Sequence, residues 1–220
     1  MPVVAVLHHL DTPFLGHVTA LGLSLDQRHL RRCDPLPELD AVDGIVSLGG
    51  EQSVGDPELE PEVALLREAS TAGMPVLGVC LGGQLLAHAL GARVWRPGRR
   101  VLWRELPKLE AAARDPLFAD IQDPVPALNW NQDVFSLPAG GEALVDGEGD
   151  SVQAFRHGRA WGVQYHPDVD AATLDGWMQR WSDQIPEPEA FRAESARYAP
   201  VQARASAALF GGFARVVAGR

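Results

Sequence analysis

The stretch VLGVCLGGQLLA, residues 76–87, ends an apolar run at a cysteine and resumes as an apolar helical pattern after two glycines. A thiol at such a strand-to-helix corner stands clear of both elements, and the glycines permit the tight turn. The start of the following helix offers unpaired N–H groups and a positive dipole end. Both favour thiolate over thiol, and both can stabilise an oxyanion formed beside the sulfur. Cys80 is therefore suited to attack a carbonyl carbon. The same residue types suit a buried structural cysteine, so this stretch alone leaves both readings open. Cys33, in RRCDPLP, lacks such a setting and reads as structural or incidental.

A nucleophilic thiol needs a base, and the base needs an orienting group. His166, in WGVQYHPDVD, follows a strand-like run and precedes Asp168 by two residues. Residues i and i+2 of an extended chain point to one side. A carboxylate there can hold the imidazole from behind while the other ring nitrogen faces a thiol, and Pro167 stiffens the link. Taken alone, His-Pro-Asp reads as a plain turn at a strand end. His8 and His9 end the first strand, and His17, His29, His88 and His157 sit in unremarkable contexts. The histidines lack metal-ligand spacing, and two cysteines give neither a disulfide framework nor a zinc motif.

The elements that must position these groups alternate in the first half. Pro2–Leu7, 43–50 and the MPVLGV run read as buried strands. Residues 56–73 and GGQLLAHALGA read as helices, and Phe14–Leu25 contains a short one. The pattern predicts an α/β fold with a mostly parallel central sheet flanked by helices, and ligands at the edge where the strands end. Val94–Leu106, Ala127–Trp130, Glu142–Val145, Val152–Phe155 and Arg159–Val163 read as short strands, paired antiparallel and added to that sheet. From Asp170 the chain reads as helical, with a last helix from about Pro188 to Val217. The tryptophans at 95, 103, 161, 177 and 181 read as packing residues.

The 220 residues predict a single domain over 1–220. Nineteen Lys and Arg against 29 Asp and Glu give a net charge of −10, which argues against a nucleic-acid partner. The densest basic stretch, RPGRR at 96–100, reads as a solvated loop. No apolar run is long enough for a membrane span, and no signal peptide is evident, so a soluble cytoplasmic protein is expected.

Four motifs in order carry a family resemblance: SLGGEQSV at 47–54, GVCLGGQ at 78–84, NWNQDVFSLP at 129–138 and GVQYHPD at 162–168. The chain resembles the class I glutamine amidotransferase domain, and is most similar to stand-alone members like the amidotransferase half of GMP synthase. The resemblance spans about residues 3–183, a motif-bearing core, and leaves 184–220 as a helical extension. It implies that Cys80 attacks the side-chain amide of glutamine, releasing ammonia and leaving a γ-glutamyl thioester. It implies that His166 shuttles the proton, that Asp168 orients His166, and that the N–H groups of Gly50 and Leu81 form the oxyanion hole. Gln84, Trp130, Asn131, Gln132 and Asp133 would hold the substrate.

Three positions depart from the family pattern. Asp168 replaces the usual Glu, Glu51 replaces a proline, and Asn131-Gln132 replaces a His and a small residue. Glu51 is expected to loosen the oxyanion loop and put a charge at the pocket mouth. The third departure leaves a γ-glutamyl peptidase or amide hydrolase open as an alternative to a glutaminase. A non-catalytic binding module is the alternative of another class. No metal or cofactor is expected; the GGEQSVGD loop lacks the Lys-Ser/Thr ending of a phosphate loop. No synthetase domain accompanies the motifs, and a lone domain of this kind can have three fates: passing ammonia to a separate synthetase subunit, hydrolysing a γ-glutamyl compound on its own, or serving as an interaction module.

Overall fold

The computed structural model describes residues 1–219. Continuous apolar runs form strands buried on both faces, as parallel sheets require. In chain order the elements are β1 (Val3–His9), β2 (Ser24–His29), β3 (Gly44–Gly50), α1 (Glu60–Thr71), β4 (Val76–Val79) and α2 (Leu81–Ala89). Next come β5 (Val94–Trp95), β6 (Arg100–Leu106), β7 (Val125–Asn131), β8 (Val134–Phe135), β9 (Glu142–Asp146), β10 (Val152–His157) and β11 (Ala160–Val163). Two helices close the chain, α3 (Ala171–Arg180) and α4 (Pro188–Val217).

The main sheet has the order β2-β1-β3-β4-β11-β10-β9. Its first five strands run parallel, and β10 and β9 extend it by antiparallel pairing. Side chains alternate across β1 as the pleat demands. Val4 and Val6 pack with Trp161 and with Leu209, Phe210 and Phe213 of α4. Ala5 and Leu7 pack with Val63 and Leu66 of α1 and Leu85 and Leu86 of α2. The last helix therefore closes one face of the sheet.

Two expectations are corrected, both in the second half. In the first half the short helix within 14–25 is a 3-10 helix, Gly16–Leu21, which Gly22 ends in the left-handed region at φ 61°. The chain then enters β2, a half-buried edge strand whose polar residues gave no apolar period to read. Val94–Leu106 is not one strand, because Pro97 and Gly98 break it between β5 and β6. Nor do all the later strands join the main sheet: β5 pairs with β8 and β6 with β7 in two separate antiparallel ribbons. The β6–β7 ribbon packs through Trp103 and Leu128 on Trp177, Phe191 and Tyr198. That third apolar cluster brings Asn129–Asp133 across to the end of β4.

Candidate active site

Cys80 occupies the corner between β4 and α2 with φ 52° and ψ −107°. A non-glycine residue held there costs about 1–3 kcal/mol, and such strain persists only where the surroundings enforce it. They do so through the backbone: Cys80 N–H donates to Val163 O at 2.8 Å, and Gln84 N–H donates to Cys80 O at 2.9 Å. The corner also needs α2 to lie hard against the sheet. A Cβ at Gly82 would stand 2.1 Å from Ser47 O, so only glycine allows that approach. The sulfur is 3.9 Å from Trp130 O and 3.9 Å from the Gln164 amide nitrogen.

His166 follows β11 and is fixed from two sides. Its N–H donates to Leu128 O of β7 at 2.9 Å, and its carbonyl accepts from the Gln202 side chain of α4 at 2.7 Å. The ring Nδ1 lies 3.1 Å from Asp168 Oδ1, and the Trp177 indole meets the ring edge-on at 4.8 Å. Burial opposes charge on this imidazole. Negative charge on Cys80 and Asp168, with hydrogen bonds to both, outweighs burial and raises its pKa to about 10. Asp168 is fully buried, and its shorter side chain still reaches the ring. Its backbone carbonyl accepts from His17 N–H at 2.8 Å, which pins the 166–168 turn.

Gly50 ends β3 beside the first turn of α2, close enough that a Cβ on it would meet Leu81 Cδ2 at 2.7 Å. Gly49 is tighter against the site: a Cβ there would lie 2.8 Å from His166 Cε1 and 3.5 Å from Cys80 Cβ. Gly49→Ala should therefore displace the imidazole, lower kcat about 100-fold and cost about 1–3 kcal/mol of stability. Steady-state kinetics beside urea titration would show it; wild-type kcat would disprove the contact.

Cys80, Gly50, Gln84, Trp130, Asn131, Gln132, Asp133 and His166 all line one cavity of about 290 Å³. Leu81 and Asp168 lie behind it. Two of these side chains also bond the frame around them. Gln84 donates to Asp133 O at 3.0 Å and to the Gln164 side chain at 3.3 Å, and Asn131 donates to Asp133 O at 3.0 Å. They shape the wall as well as facing it. Glu51 stands at the mouth as expected, but it is tethered: the Trp181 indole N–H donates to it at 3.0 Å and Arg180 lies 3.5 Å away.

Further residues join the site without having been expected there. Arg96 and Arg99 line the cavity, so RPGRR is not simply a solvated loop. Arg96 forms a two-pronged bond to Asp133, at 2.7 and 2.9 Å, and also bonds Ser53. Trp177 and Trp181 pack in the third cluster yet also line the cavity, with Gln184. Their i, i+4 spacing showed a shared face but not what that face meets. Behind the Gly49–Gly50 loop, Glu62 of α1 accepts from Ser47 Oγ at 2.7 Å and pairs with His9 Nε2 at 2.7 Å. This buried trio ties β1, β3 and α1 together, and no local motif announced it.

Fold and corner define a class: a doubly covered α/β sheet with a cysteine on a strained elbow at the carboxyl end of its central strand. The chain belongs to the class I glutamine amidotransferase family, whose model matches residues 18–180. This is an enzyme class. A glutamine amidotransferase-like protein of Salmonella typhimurium, YfeJ, is 29% identical over 165 residues, 71% of this chain and 69% of that protein. A glutamine-hydrolysing GMP synthase subunit from Archaeoglobus fulgidus is 29% identical over 174 residues, 77% of this chain and 90% of that one. The chain spans only about a quarter of the longer GMP synthases that it matches. The crystal structure of a glutamine amidotransferase from Thermotoga maritima superposes with a TM-score of 0.87 at 25% identity, covering 97% of this chain and 98% of the other.

Proposed function

We propose that the protein hydrolyses a γ-glutamyl amide, with free glutamine as the simplest donor, through a thioester on Cys80. The carrying observation is geometric: a buried imidazole held by Asp168 Oδ1 at 3.1 Å lines the same cavity as the Cys80 thiol on its strained elbow. That arrangement favours a thiolate–imidazolium pair, which holds both the nucleophile and the proton the leaving group needs.

In the proposed sequence the Cys80 thiolate adds to the γ-carbonyl carbon. The N–H groups of Gly50 and Leu81 take the oxyanion, and an interaction of that kind lowers a barrier by about 2.7–4 kcal/mol. His166 gives its proton to the nitrogen as the C–N bond breaks, and the amine or ammonia leaves. His166 then takes a proton from water, which attacks the thioester and releases glutamate. Asp168 keeps the ring in register throughout. Arg99 makes no ion pair among the described residues, so its guanidinium is free to meet the donor's α-carboxylate. With glutamine as donor, the ammonia would pass to a separate synthetase subunit; the name of the Archaeoglobus relative supports this. Residues 1–220 would act as one domain.

Covalent trapping tests the reading. A chloroketone analogue of glutamine should label the protein once, at Cys80, and spare Cys33, although Cys33 is the exposed thiol. Peptide mass mapping reads the site. Labelling at Cys33 with Cys80 untouched favours a binding module instead.

A further inference from the structure

We propose that the cavity holds a second compartment, on the leaving-group side of the scissile bond, for the aromatic or apolar amine portion of a γ-glutamyl amide. This rests on the amide-hydrolase reading above and names its substrate class. The cavity has two unlike walls. One is polar, made of Gln84, Asn131 and the Asp133–Arg96 pair. The other is made of the indoles of Trp130, Trp177 and Trp181.

The side on which the amine leaves is set by His166. It is the group that protonates the departing nitrogen, so that nitrogen departs beside it. Trp177 stands there, edge-on to the imidazole at 4.8 Å, with Trp130 and Trp181 each 5.5 Å from it. Ammonia has no carbon to place against such a wall.

The indoles are also fixed in advance. The Trp130 ring N–H donates to the Gln184 side chain at 3.0 Å, and that of Trp181 donates to Glu51 at 3.0 Å. The polar edges of Trp130 and Trp181 are thus spent, and their carbon surface is what remains for a ligand. Rigid aromatic surface binds apolar groups at small entropic cost. A cationic amine fits less well. The Arg180 guanidinium already lies over the Trp181 ring at 5.1 Å, and it balances Glu51, the carboxylate at this mouth. The balanced reaction is γ-glutamyl amide plus water to glutamate plus amine, with no oxidant or cofactor consumed.

The test compares kcat/KM for γ-glutamyl benzylamide, γ-glutamyl methylamide, a γ-glutamyl amide with a distal ammonium, and glutamine. Benzylamine is the weaker base and the better leaving group, so the part of the ratio that Trp181→Ala removes, not the raw ratio, reports binding in the compartment. Benzylamide should lead methylamide by about tenfold or more, the range an apolar pocket supplies. The ammonium-bearing donor should not exceed methylamide. Trp181→Ala should collapse the benzyl-to-methyl ratio toward one, and Trp181→Phe should keep most of it. A ratio is insensitive to a shared loss of folded enzyme.

Benzylamide turnover no faster than methylamide or glutamine overturns the compartment, as does preference for the ammonium donor or a ratio unmoved by Trp181→Ala. If chloroketone labelling of Cys80 persists in that case, the amide-hydrolase reading survives without it. If labelling is lost as well, both fall.

Discussion

Cys80→Ala should lower ammonia release from glutamine, or amine release from any γ-glutamyl amide, by about four orders of magnitude or more. No other group at the cavity can form the thioester, because Cys33, on the exposed turn after β2, does not line it. What remains would be the small acceleration that binding and oxyanion contacts give to water attack. The loss should not be one of folding. Apart from its charge contact with His166, the Cys80 side chain makes only long contacts of 3.9 Å, whereas its backbone is held by bonds that alanine keeps. The urea unfolding midpoint should therefore fall by no more than the lost charge contact with His166 contributed, leaving the variant folded under assay conditions. A variant within tenfold of the wild-type rate would remove Cys80 from the chemistry and with it the proposed mechanism.

His166→Asn should cost about as much, since nucleophile and base act as one unit and either loss disables both. Its second consequence concerns pH. The folded protein raises the pKa of His166 from an ordinary 6.5 to about 10, with charge on Cys80 and Asp168 overcoming burial. A group held this way contributes stability that is complete below pH 6.5 and is lost as pH rises through about 10. The stability gap between wild type and His166→Asn should thus narrow over that window. In NMR spectra of the wild type, the ring resonances should stay at their imidazolium positions through about pH 8. In Cys80→Ala the transition should move down, because the favourable charge is gone. A wild-type ring that titrates near the ordinary 6.5 would contradict the ion pair.

Glu51 shows how a local departure can be answered from a distance. In sequence it looks like a loosened loop, since a charged residue stands where proline would stiffen the chain. In the fold the loop is tied instead by the Trp181 indole, 130 residues away along the chain. Asp168 is similar. A missing methylene calls for a slight backbone shift, and the 166–168 turn, pinned through His17 and Gln202, brings Oδ1 to 3.1 Å from the ring.

The elbow, the His-Pro-Asp turn and the parallel strands were all legible because each is encoded within a few residues. Apolar runs of the right length make strands, glycines beside a cysteine permit one particular corner, and i, i+2 spacing puts two side chains on one side. The amino-acid sequence by itself determined the fold class and the candidate set of Cys80, His166 and Asp168. Tertiary structure alone decided what surrounds that set. The β6–β7 ribbon's departure from the main sheet, the Glu62 bonds to Ser47 and His9, and the arrival of Arg96 and the α3 tryptophans at one cavity all depend on contacts between distant segments. Such contacts are chosen by packing and by the satisfaction of buried polar groups across the whole molecule. A local pattern can show that a face is apolar or that a residue is charged, but it cannot say what that face or charge will meet.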